Sequence, residues 1–143
     1  MKSQIPKTKG RFKRVAISFP GTATVEFAVV LPVFILLLLG TIETCTMIFL
    51  QQSLEIAAYE ATRIAIVPKT KMSDIQTACA DILSTRRVKD VTVTVSPVDF
   101  QSGLYGSFIR VDVPAPCTSN AVFPLAFYGS RALTGTVEMM KEF

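Results

Sequence analysis

A chain of 143 residues has room for one modest domain beside a membrane segment. Half of its residues are hydrophobic, and the mean hydropathy of +0.44 is high for a soluble domain. With no histidine and only three scattered cysteines, a histidine-based catalytic triad is excluded, and the usual zinc, haem and iron donor sets have no basis.

The net charge of +4 does not mark a nucleic-acid surface. Lys2, Lys7, Lys9, Arg11, Lys13 and Arg14 fall within residues 1–21, which hold no acid, and the remainder is slightly acidic. A nucleic-acid surface carries its positive charge on the folded domain; here the charge is a short tail.

From Phe27 to Ile42 the chain reads FAVVLPVFILLLLGTI, with no formal charge. Val25 on one side and Cys45 to Leu50 on the other extend the apolar stretch to about 20 residues or more, enough to cross a hydrocarbon core. ILLLLG has no polar face, so the core helix of a globular protein is a poor description of it. Glu26 and Glu43 bracket the most apolar part, about 25 Å apart along a helix, and both can therefore lie near the two interfaces. The basic tail precedes the span, which by the positive-inside bias puts residues 1–21 in the cytoplasm and the C-terminal part across the membrane. A cleaved secretory signal has a shorter apolar run, usually about 7–15 residues, and the next small-residue candidates for a cleavage site, around Ala57 and Ala58, continue a helical pattern. An uncleaved anchor is expected. Pro32 removes one helical hydrogen bond; it either kinks the helix or is simply accommodated in its early turns.

The motif Gly21-Thr22-Ala23-Thr24-Val25-Glu26-Phe27 stands directly between the basic tail and the span. It resembles the processing site of type IV prepilins and pseudopilins, which a membrane aspartyl peptidase cuts after the glycine. The stretch from Gly21 to about Val67 is similar to the TadE-like family, minor pseudopilins of tight-adherence (Flp-type) pilus systems. Matching features are the EFA-x-V-L-P start, Gly40 with Glu43 late in the span, and the alanine-rich run from Ala57 and Ala58 to Arg63. Beyond Val67 the likeness is loose. The resemblance implies Gly21 as the last leader residue, Thr22 as the new N-terminus, and Glu26 as a fifth mature residue that pairs with a neighbouring subunit's amine. Independently of the family, glycine lets an extended segment enter a peptidase groove closely, and a carboxylate at the lip of hydrocarbon is costly unless paired or protonated. On the residues alone, Glu26 also suits a helix start, where an acid favours the dipole. Two features depart from the family: Pro20 restricts the chain just before the cut, and Thr22 replaces the aromatic that begins many major pilins.

Glu26, Phe27 and Glu43 are the candidate subunit-interaction residues. Glu43 either pairs with a basic residue of a partner helix or sits hydrated at the outer interface. Past the span, Leu50, Leu54, Ala57, Ala58, Ala61, Ile64 and Ala65 recur at helical spacing until Pro68. One long helix over residues 22–67 is therefore expected, with its transmembrane part at about residues 25–50. Residues 68–143 then form an extracytoplasmic α+β domain: a helix from an Ser73 N-cap to about Ser84, and strands at Val88–Val95, Ser107–Val113 and Arg131–Met140. Turns fall at Pro97–Gly106 and in a loop with Pro114, Pro116, Pro124 and Gly129. The three strands give a small antiparallel, pilin-like sheet.

Cys45 reads as a small apolar residue. In an oxidising compartment a Cys79–Cys117 disulfide is expected, the other two pairings and buried thiols staying open.

These readings imply a non-catalytic minor pseudopilin of a bacterial inner membrane with no cofactor and no small-molecule substrate. Its expected partners are the membrane, a prepilin peptidase, and other pilins or pseudopilins with their assembly-platform proteins. The alternative is an unprocessed membrane-anchored adaptor or sensor that keeps residues 1–21. A membrane hydrolase needs a nucleophile beside a positioned base, and no spacing here suggests one.

Overall fold

The computed structural model describes residues 21–102, 104–123 and 128–142. Residues 1–20 of the expected 1–21 leader, with Gly103 and Pro124 of the expected turns, lie outside the described residues. The elements are α1 (Thr22–Ala65), α2 (Met72–Thr85), β1 (Thr94–Ser96), β2 (Phe108–Pro116), α3 (Cys117–Asn120) and β3 (Ala132–Met140). They divide into two compact units, one ending at Ile35 and the other beginning at Leu36.

In the first unit α1 starts directly after Gly21 and continues through Pro32, and the Val25 N–H donates to the Gly21 carbonyl at 3.1 Å. From Val25 to Ile35 the large apolar side chains are 40–71% exposed. A helix apolar all round and covered by nothing is suited to lipid. By length and composition α1 can cross a membrane, and its most apolar stretch buries none of its residues.

The second unit is α+β. The buried residues of α1 here, Met47, Leu50, Leu54, Ala57, Ala58, Ala61 and Ala65, follow three- and four-residue steps, as the sequence led one to expect. They share one core with Ile75, Cys79 and Leu83 of α2 and with Ile109, Val111, Val113 and Ala115 of β2. Alternation along β2 places those four on one face. The sheet order is β1-β2-β3, with both pairings antiparallel. Val111 lies opposite Val95 on one side and Val137 on the other.

Gly135 on β3 fixes how closely the sheet meets α1. A Cβ added there would stand 2.3 Å from the Leu54 carbonyl carbon and 2.6 Å from the Glu55 nitrogen. Only a residue without a side chain permits that approach.

Four expectations shift at their edges. The first helix ends at Ala65, short of Val67, and Lys69 takes a positive φ of 66° in the turn that follows. Ser73 is not the cap of α2; the Lys71 N–H donates to Asp74 Oδ2 at 3.1 Å, so the helix opens at Met72 and Ser73 lies in its first turn. The strand expected over Val88–Val95 shortens to Thr94–Ser96. Asp90 adopts a φ of 55°, which breaks extended geometry, and Asn120 takes up the Lys89 N–H at 2.8 Å while donating to its carbonyl at 3.0 Å. Conversely, β2 runs through Pro114 and Pro116, which were expected in a loop. The Thr92 N–H donates to the Pro114 carbonyl. Pro114 therefore points its own nitrogen to the same side, beyond the end of β1, and its missing N–H removes nothing from the β2–β3 ladder.

Candidate functional site

The residues singled out in the sequence fall into two places. At the start of α1, Gly21, Thr22, Glu26 and Phe27 are all exposed. Nothing stands within 4 Å of a Cβ added at Gly21. Its carbonyl, which belongs to the Gly21–Thr22 peptide bond, is the acceptor for the Val25 N–H. Access to that bond requires release of this terminal hydrogen bond, a small demand at a helix end, where fraying is easy. Glu26 lies one turn further on, among exposed Val25, Phe27, Val29 and Val30. An ionised carboxylate on so apolar a surface is stabilised when a cation comes to it.

The second place surrounds Glu43. A hydrated position at an interface was one expectation, and the structure corrects it: Glu43 is buried, with 1% of its surface exposed. Its Oε2 accepts the Phe123 N–H at 3.3 Å, and its Oε1 has no hydrogen-bond partner among the described residues. Glu43 lines an open groove of about 580 Å³ together with Leu36, Leu37, Gly40, Thr41, Thr44 and Tyr128. The Tyr128 hydroxyl donates to Thr44 Oγ1 at 3.4 Å. Thr41 and Thr44 return their own hydroxyl protons to the carbonyls of Leu37 and Gly40, at 2.8 and 2.9 Å. The structure thus separates the three interaction candidates, Glu26 and Phe27 belonging to the first unit and Glu43 to the second.

The expected Cys79–Cys117 bridge is not formed. Both residues are free thiols, each buried to 1% exposure, and Cys45 is free and exposed. The Cys79 thiol donates weakly to the Ala57 carbonyl at 3.6 Å, and burial pushes its pKa up to about 11. Burial also raises that of Cys117. Their environment is apolar core, which suits a protonated thiol.

Sequence reasoning passed over three residues. Lys141 is 5% exposed, and its amine donates to the carbonyls of Phe100 and Gln101, both at 3.2 Å, pinning the turn after β1 to the end of β3. Asp112 accepts from the Thr136 hydroxyl at 2.6 Å and from Arg110 Nε at 3.1 Å. The Thr136 hydrogen bond leads in holding its carboxyl below the usual range. Phe123 supplies the N–H that meets Glu43 from 80 positions away. No local pattern announces any of these, because each depends on pairing between distant segments. Among the described residues no group of three or more His, Cys, Asp or Glu side chains could hold a metal ion.

These features define a class: a protein anchored by one N-terminal membrane helix that continues into a small α+β domain. Residues 21–63 match the model of the family described as TadE-like protein. Over those residues, which hold the motif and α1 as far as Arg63, the chain is similar to that family, in agreement with the resemblance read from the sequence. The match begins at Gly21 and covers under a third of the chain. No curated protein and no solved structure matches the chain.

Proposed function

We propose that this protein is a minor pseudopilin of a Tad/Flp pilus, cut after Gly21 by a prepilin peptidase and acting in pilus assembly or initiation through its N-terminal helix. The observation that carries the reading is one coincidence of boundaries. The basic tail gives way to the apolar run, α1 begins, and the TadE-like match begins, all at Gly21 and Thr22. A membrane anchor without processing has no need for these to coincide.

The chemistry follows from the local geometry. Release of the Val25-to-Gly21 hydrogen bond frees the scissile carbonyl, and the side-chain-free Gly21 lets the peptidase close on it. Hydrolysis removes the basic leader, residues 1–21, on the cytoplasmic side and leaves an α-amine on Thr22. That amine meets Glu26 of a neighbouring subunit, offsetting the cost of both charges at the hydrocarbon lip and setting axial register. Phe27, 61% exposed beside Glu26, packs between the helices. The C-terminal domain lies in the periplasm, on the side opposite the positive tail.

The test separates trimming from assembly. In cells carrying the peptidase, Gly21→Ala retains the leader, whereas Glu26→Ala is trimmed at the wild-type rate yet enters pilus fractions poorly. Wild-type assembly by Glu26→Ala would remove the charge-pairing step from this scheme.

A further inference from the structure

Glu43 is the strongest unexplained group in the described residues, and it does not belong to the processing machinery at the start of α1. Its side chain is 1% exposed, one oxygen takes a single 3.3 Å hydrogen bond from Phe123, and the other takes none. Among the described residues no Lys or Arg forms an ion pair with it. A buried carboxylate oxygen without a donor is costly, and among the described residues only the Ser107 hydroxyl, an uncharged group, is likewise buried without a partner.

The surroundings describe what fits. Glu43 lines the groove with Leu36 and Leu37, which are 62% and 63% exposed, and with Gly40, above which nothing stands within 4 Å. A glycine facing open space beside exposed leucines is a seat for a second helix at close range. The hydroxyls of Thr41 and Thr44 are already committed to α1's own carbonyls, so the groove offers an incoming helix mainly apolar surface and one acid.

We infer that this groove receives a membrane helix of a different protein, one that carries a Lys or Arg within its apolar stretch and sets that cation on Glu43 Oε1 as the buried carboxylate turns toward the groove it lines. Charge decides the occupant. Between Thr22 and Thr62 this chain has no Lys or Arg, so α1 of a second copy brings no basic side chain from within its own span. The incoming cation supplies the missing donor, and the charge-assisted bond in a water-poor groove gives the contact its specificity. The inference rests on the buried acid and its groove, and it holds whether or not the leader is cut.

The experiment uses the full chain in its native membrane, with the photo-crosslinking residue p-benzoylphenylalanine in place of Leu37, which lines the groove. Irradiation is expected to give an adduct whose partner peptide, sequenced by mass spectrometry, is an apolar segment of another protein containing Lys or Arg. Glu43→Gln should lower the adduct yield about tenfold or more, the scale on which loss of a charge-assisted bond acts. Gly40→Leu fills the groove without touching the chain's own core and should abolish the adduct while Cys79 stays protected from labelling. That second arm decides the matter if Glu43→Gln fails to accumulate. An adduct only between copies, a partner segment without a basic residue, a yield unchanged by these substitutions, or no adduct at all would overturn the inference.

Discussion

Replacing Gly135 by alanine is a one-carbon change with a large expected effect, because the new atom has nowhere to go. The built Cβ stands 2.3 Å from Leu54 C, 2.4 Å from Leu54 O and 2.6 Å from Glu55 N, all of them backbone atoms of α1. No side-chain rotation relieves such contacts. Ordinary carbon contacts begin near 3.5 Å, so β3 and α1 must separate by roughly 1 Å. That separation strains the Gln51 Nε2 bond to the Thr134 carbonyl and the Thr62 hydroxyl contact with Val137, already 3.2 and 3.5 Å long. It also loosens the core around Leu54, which is fully buried. Gly135 has no left-handed backbone requirement, so the cost is steric alone. Overpacking typically costs about 1–3 kcal/mol, and a clash with rigid backbone belongs at the upper end. At about 3 kcal/mol the midpoint of a domain near 100 residues falls by roughly 12 °C or more. The assay is thermal unfolding of detergent-solubilised protein, followed by labelling of the two buried thiols, with Gly40→Ala as a control that meets nothing within 4 Å. A Gly135→Ala midpoint within about 2 °C of wild type, under 0.5 kcal/mol by the same conversion, would refute the claimed close approach.

Two further outcomes follow from the domain. With its pKa near 11, the Cys79 thiol is about one part in a thousand thiolate at pH 8, so native protein should alkylate there and at Cys117 only after denaturation; both should then label without reductant, and resistance under those conditions would mean a disulfide after all. Asp112 has its folded pKa lowered, chiefly by Thr136, so its contribution to stability is present above the unfolded value of about 3.9 and is lost as pH falls through the folded value. Thr136→Val should therefore narrow the melting-temperature gain between about pH 3 and pH 6 relative to wild type. An unchanged pH dependence would show that the hydrogen bond does not govern this carboxyl.

The membrane helix and its amphipathic continuation were legible because their signals are local. Uniform apolarity marks one, and three- and four-residue spacing from Leu50 to Ala65 marks the other. The sheet was legible in kind and less so in extent. Val88–Val95 alternates like a strand, but Asn120 holds Lys89, and Asp90 turns out of extended geometry. Pro114 and Pro116 read as breakers, since nothing in their neighbourhood says that β1 begins only at Thr94, opposite Asp112, and leaves their nitrogens no ladder to serve. The motif at Gly21 was visible because charge and hydropathy change there together. Glu43 was visible only as an acid at the edge of a span; its hydrogen bond comes from Phe123, far along the chain, and no periodicity reports that contact. Gly135 likewise reads as a strand glycine until α1 is seen against it.

The most direct measurement on the account as a whole is the intact mass and N-terminal sequence of the protein extracted from membranes of cells with an active prepilin peptidase. Removal of residues 1–21, leaving Thr22 at the N-terminus, is the predicted result. A chain still beginning at Met1 or Lys2 under those conditions would contradict it and leave only a membrane-anchored adaptor.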